Sequence, residues 1–137
     1  MRFVDTNVLL YAISRAPAER EKAALANEIL ERREVALSSQ VLQEFYVQAT
    51  RPTRADALSH LEARELLETF VLFPVQPITS ELVVLATATR ERFGISYWDA
   101  AIIEASRALG CDVVLSEDLD DGTDYDGVRV VNPFGEG

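Results

Sequence analysis

Acidic side chains stand at four points of the sequence from which carboxylates can converge. Asp5 directly follows the apolar pair Phe3-Val4, and Asp118 closes the run Val113-Val114-Leu115-Ser116-Glu117. If these runs are parallel strands, both acids lie on one rim of a sheet. Ser96-Tyr97-Trp98-Asp99 sets a third acid in the first turn of a helix. Glu44, in Ser39-Gln40-Val41-Leu42-Gln43-Glu44, lies about a turn and a half into another. Each has an ordinary alternative role. Asp5 can cap the helix that follows it, Asp99 can complete a capping box opened by Ser96, and Glu44 can be a solvated surface acid. Asp118, Asp120 and Asp121 belong to a loop where aspartate favours turns.

Helical geometry separates these readings. At ~100° per residue, Asp99 falls between Ile102 and Ile103 on the apolar face, whereas Glu104 points away; Glu44 falls beside Val41, at the edge of a stripe carrying Phe45. A carboxylate on a buried face is costly unless paired or bound to a cation. No Lys or Arg lies three or four residues from Asp99, so a cation is the economical account. Two carboxylates ~4 Å apart repel by about 4 kcal/mol at an effective dielectric of 20, so a cluster needs neutralising. One histidine (His60, on a different helix) and one cysteine (Cys111) leave an oxygen-only donor set, which suits Mg2+ or Mn2+. Asp118-x-Asp120-Asp121-Gly122 echoes a calcium loop, but its glycine is one position early for an EF-hand. A phosphatase of the haloacid-dehalogenase type needs Asp-x-Asp, and Asn7 occupies the second position.

The elements that must position these acids alternate along the chain. Arg2-Phe3-Val4 reads as a strand, followed by a short helix over 7–14; Pro17 opens a helix through Arg33, and Val35-Ala36-Leu37 is a buried strand. Ser39 is expected to cap a helix through Thr50, and Thr53 one from Arg54 to Phe70. Val71 to Val75 is strand-like, with Pro74 suited only to a sheet edge. Thr79 or Ser80 opens a helix stopped by Gly94, and Ser96 one ending near Gly110. The strands Val113–Leu115 and Val128–Val131 close the chain, separated by an acidic, glycine-containing loop. Alternation of apolar strands and helices predicts an α/β fold with a mostly parallel sheet, helices on both faces and ligands at the strands' carboxyl ends.

The 137 residues, 48% hydrophobic and 26% charged, fit one domain spanning 1–137. Neither a disulfide nor a cysteine-built metal centre is available. An early Asp5 argues against a secretory leader, and no apolar run approaches the ~18–20 residues that span a bilayer, so a cytoplasmic protein without a membrane role is expected. With 13 Lys+Arg against 23 Asp+Glu, the net charge of −10 repels polyanions.

Together, Phe3-Val4-Asp5-Thr6-Asn7, the helical Glu44, Tyr97-Trp98-Asp99-Ala100-Ala101-Ile102 and Leu115-Ser116-Glu117-Asp118-Leu119-Asp120-Asp121-Gly122 resemble the PIN-domain ribonucleases, especially the VapC-like toxins of toxin–antitoxin pairs. The resemblance covers essentially the whole chain. It implies that Asp5, Glu44, Asp99 and Asp118 form an acidic quartet around Mg2+ or Mn2+, supported by Thr6, Asn7 and Ser116, with Asp120 as an extra acid. It also implies a parallel sheet of about five strands flanked by helices. Hydrolysis of RNA by metal-activated water, leaving 5′-phosphate and 3′-hydroxyl ends, would follow, as would a homodimer and an antitoxin partner. Against the adverse net charge, Arg51, Arg54, Arg90 and Arg92 are candidate phosphate contacts. Trp98 and Tyr97 could stack on a base, although Trp98 suits the core better. The acidic site would also admit an antitoxin arginine. Two other readings use the same residues: a nuclease for RNA or DNA processing outside a toxin pair, and an inactive PIN-like interaction module.

Overall fold

A computed structural model describes residues 1–135. The chain runs β1 (Arg2–Val4), α1 (Thr6–Ala12), a 3-10 turn (Pro17–Glu19), α2 (Arg20–Glu31), β2 (Val35–Ser38) and α3 (Ser39–Ala49). It continues through α4 (His60–Phe70), β3 (Val75–Gln76), α5 (Ser80–Phe93), α6 (Tyr97–Ala108), β4 (Val113–Leu115), β5 (Asp124–Tyr125) and β6 (Val128–Val131). The strands form one six-stranded sheet in the order β3-β2-β1-β4-β6-β5. Every pairing is parallel except β5 with β6. The β1 neighbours are β2 on one side and β4 on the other, so β1 lies between elements from the two halves of the chain.

Burial explains why the central strands are mostly apolar. Phe3, Val4, Val35, Ala36, Leu37, Val114, Leu115 and Val130 are all buried, as a sheet covered on both faces requires. Val8 and Leu9 of α1, Val41 and Phe45 of α3, and Ile102 and Ile103 of α6 complete the layers. Phe45 meets Phe70 of α4 edge to face at 5.1 Å. No helix among the described residues is long and apolar enough to cross a membrane.

Several expectations about the elements change. The sheet has a sixth strand, because Asp126-Gly127 forms a two-residue turn at φ 59° and 97° that folds β5 onto β6. Helix α4 begins at His60 rather than Arg54: Ser59 and Glu62 make a reciprocal capping box, and the preceding segment is a series of turns. Strand β3 is confined to Val75–Gln76, since Val71, Leu72 and Phe73 still donate to carbonyls of the α4 end. It is an edge strand, with the Pro74 carbonyl accepting from Leu37 N. Ser38, not Ser39, caps α3 by accepting from Val41 N.

Glu104 does not point away from the core. It is 5% exposed, accepts from Thr89 Oγ1 of α5 at 2.7 Å and from Arg107 Nε at 3.2 Å. Arg107 in turn donates to the carbonyls of Tyr125 and Asp126, joining two helices to the terminal hairpin.

Candidate active site

The carboxyl ends of β1 and β4 deliver Asp5 and the Ser116-Glu117-Asp118 segment to the same rim, because the two strands pair in parallel with Val4 opposite Leu115. Asp5 N donates to Leu115 O at 3.0 Å, which carries the pairing one step further. Helices α3 and α6 bring Glu44 and Asp99 to this rim. A cavity of about 360 Å3 opens there, lined by Asp5, Thr6, Asn7, Leu10, Gln40, Glu44, Gln48, Trp98, Asp99, Ile102 and Asp118.

Asp5 is held from two sides. Thr6 N donates to Oδ1 and Ser116 Oγ to Oδ2, both at 2.8 Å. Asp5 therefore caps α1 and faces the cavity with one carboxylate. Burial pushes its pKa up to about 6, against the lowering effect of those two hydrogen bonds; the charges of Asp118 and Glu44 add to the rise. Glu44 accepts from Thr6 Oγ1 at 3.0 Å and from Gln40 Nε2 at 3.1 Å. Gln40 stands four residues before Glu44, one turn away on the same helix face.

Asp118 is oriented by Asn7, whose Nδ2 donates to Asp118 Oδ2 at 3.2 Å and lies 3.3 Å from Ser116 Oγ. The Asn7 side-chain oxygen accepts from Glu117 N, and Ser116 Oγ accepts from the Asp118 and Leu119 amides. One short loop is thus stitched to the first turn of α1. Outside the cavity, Glu117 accepts from Tyr11 hydroxyl at 2.5 Å and Lys22 Nζ at 2.6 Å. Burial opposes its ionisation, but those donors outweigh it and hold the Glu117 pKa below its ordinary value.

Asp99 N donates to Ser96 Oγ at 3.0 Å, so Ser96 caps α6 as expected. Its own carboxyl is raised, first by burial, which outweighs a hydrogen bond with Ser96, and then by Asp118 and Glu44. Four carboxylates consequently share one cavity that has no Lys or Arg in its lining. Among the described residues, no three His, Cys, Asp or Glu side chains stand close enough to enclose an ion in this conformation. The donor set nonetheless fits a hard divalent cation. All four acids offer oxygen, and two of them are harder to ionise, first because they are buried and then because other acids face them.

The other sequence candidates are distributed less uniformly. Thr6 and Asn7 line the cavity and Ser116 touches two of its acids, whereas Asp120 is exposed and outside the lining. None of the four arginines lines it. Arg54 lies 3.0 Å from Asp56 and Arg92 lies 2.7 Å from Asp126, while Arg51 and Arg90 are exposed. Trp98 is no core residue: it is 65% exposed on the cavity rim. Sequence reasoning passed over Gln40 and Gln48, although their spacing of four residues before and after Glu44 places them on its face.

Comparison with known proteins agrees with this architecture. Residues 2–122 match the family model described as PIN domain. The chain is 33% identical to Ribonuclease VapC24 of Mycobacterium tuberculosis over 142 aligned positions, covering 98% of this chain and 97% of that protein. A chain of a toxin–antitoxin complex from Klebsiella pneumoniae has the same fold, with a TM-score of 0.69 at 20% identity over 97% of this chain and 98% of that one. Mycobacterium tuberculosis VapC20, described as a toxin that cleaves the sarcin–ricin loop, superposes with a TM-score of 0.66 at 20% identity, covering 86% and 92%. A match spanning most of the sequence and a full-length relative lead to one assignment: the chain belongs to the PIN-domain family.

Proposed function

We propose that this protein is a VapC-type ribonuclease that hydrolyses RNA phosphodiester bonds, using a divalent cation held by Asp5, Glu44, Asp99 and Asp118, and that it is the toxin of a toxin–antitoxin pair. The observation that carries this reading is the convergence of four carboxylates, from β1, α3, α6 and the end of β4, on one cavity without a basic side chain. Its likeness to VapC24 supports the choice of RNA as substrate. The Klebsiella pneumoniae complex supports an antitoxin partner, and a homodimer belongs to the same reading.

When bound, Mg2+ or Mn2+ supplies Lewis acidity toward the phosphate and a water acidic enough to attack it near neutral pH. The protein's own contribution is to fix the oxygens that hold the ion. Ser116 and the Thr6 amide lock both oxygens of Asp5, so its rotamer needs no reorganisation on binding. Thr6 and Gln40 each engage one oxygen of Glu44, and Asn7 holds Asp118. Asp5 must give up its proton to act as a ligand, so a cation competes with protons there. The acids also repel the phosphates of the substrate unless a cation intervenes.

The test is cleavage of mixed-sequence single-stranded RNA by the parent and by Asp5→Asn, with Mg2+ or Mn2+ and with EDTA. Metal-dependent cleavage by the parent, reduced by about a hundredfold or more in the variant, is expected. Equal cleavage by both proteins, or cleavage in EDTA, rejects the assignment.

A further inference from the structure

Trp98 is the only tryptophan of the chain, and a large apolar side chain at 65% exposure is an expensive surface residue. It stands on the rim of the same cavity as the four acids. Its position is built rather than loose. Gln40 Nε2 donates to the Trp98 carbonyl at 3.3 Å while also engaging Glu44, so the turn carrying the indole is tied to one of the acids. The Tyr97 ring meets the indole edge to face, at 5.1 Å and 83°. Leu10 and Ile102 add apolar surface to the lining, and the remaining non-acidic positions are Thr6 and the amides Asn7, Gln40 and Gln48.

A cavity of this composition offers RNA phosphates four carboxylates and no basic side chain, so apart from a bound cation it has nothing that attracts them. An exposed, braced aromatic face beside it offers another source of affinity. Base–aromatic stacking tolerates any sequence, since every base presents a π-face, and it works only on a base freed from its duplex neighbours. We propose that the Trp98 indole is the platform on which a base adjoining the scissile phosphate stacks, so that the substrate is RNA presented single-stranded at the cut. This inference rests on the ribonuclease reading above and assigns the residue that selects the form of its substrate.

Because Trp98 is the sole indole, its emission reports the contact directly. With Asp5→Asn protein and Mg2+, a short mixed-sequence single-stranded RNA is expected to quench the emission saturably, and the same RNA annealed to its complement is not. In the active background, Trp98→Ala is expected to raise KM for the single strand by about tenfold to a hundredfold, with a smaller change in kcat. Its melting temperature should stay near the parent's, and Trp98→Phe should recover most of the loss. RNA that binds by anisotropy without changing Trp98 emission overturns the stacking role. So does a Trp98→Ala enzyme with the parent's KM. Emission already shifted to the blue without RNA, together with dissociation of a dimer by Trp98→Ala, would mean that a second copy covers the indole, and also overturns it. A parent protein that cleaves no RNA refutes the ribonuclease reading; quenching in that case would still establish Trp98 as a base platform.

Discussion

Asp5 shows the tension in this site within one side chain. Its carboxylate caps α1 and accepts from Ser116, both favourable to the charge, yet burial wins and its pKa rises to about 6 from an ordinary 3.8. A carboxyl with a raised folded-state pKa binds more protons folded than unfolded between those values, so stability falls as pH rises through that window. The difference corresponds to roughly 3 kcal/mol lost by the metal-free protein once pH exceeds about 6. Asp5→Asn removes the titration. In EDTA, the variant's unfolding free energy relative to the parent should increase by roughly that amount from pH 4 to pH 7, as read by urea denaturation at each pH. Saturating Mn2+ at pH 7 should raise the parent more than the variant. A pH-independent difference between the two proteins would mean that the carboxylate is not strained. At this scale the sequence was informative where geometry is local. Acids at strand ends and one acid on an apolar helical face could be read from spacing. Trp98 could not, because spacing places it on a helix face without saying whether another element covers that face.

Among elements, the least legible parts are those set by competition between neighbouring signals. Thr53 and Ser59 could each begin a helix, but only Ser59 is followed three residues later by a glutamate able to return the hydrogen bond. Asp126-Gly127 is a strong hairpin signal hidden in an acidic loop, and missing it removed β5 from the expected sheet. Glu104 is the most instructive case. Angular arithmetic on α6 alone turns it outward, but α5 and the terminal hairpin pack on that side and bury it. Thr89 and Arg107 satisfy its carboxylate oxygens there. Glu104→Ala should therefore destabilise the protein by about 2 kcal/mol, less than for a wholly enclosed pair because Arg107 is partly exposed. Hydrogen exchange of the Tyr125 and Val128 amides should rise more than that of β1 amides, since the hairpin loses its anchor through Arg107. Uniform acceleration across the sheet, or no loss of stability, would contradict a latch role for this pair.

For the molecule as a whole, the unusual quantity is a net charge of −10 on a protein proposed to bind a polyanion. Proteins that hold nucleic acid through lysines and arginines release counterions, and their affinity for single strands falls with salt by a slope of about −0.7 per phosphate neutralised. Of the four arginines suggested by the sequence, Arg54 and Arg92 are engaged by Asp56 and Asp126. The side chains of Arg51 and Arg90 have no hydrogen-bond or ion-pair partner among the described residues, and both are exposed. Two such contacts give a slope of roughly −1.4 in a plot of log affinity against log salt. Binding of single-stranded RNA to Asp5→Asn, titrated with KCl at constant Mg2+, should be this shallow. Arg51→Ala with Arg90→Ala should flatten it further, while Trp98→Ala should lower affinity at every salt concentration and leave the slope unchanged, since stacking releases no counterions. A slope steeper than about −3 would instead require a basic surface that this chain does not present around its cavity, one supplied by a partner. Shallow salt dependence would place the source of binding in the cation and the indole, which is how an acidic protein can act on RNA without becoming basic.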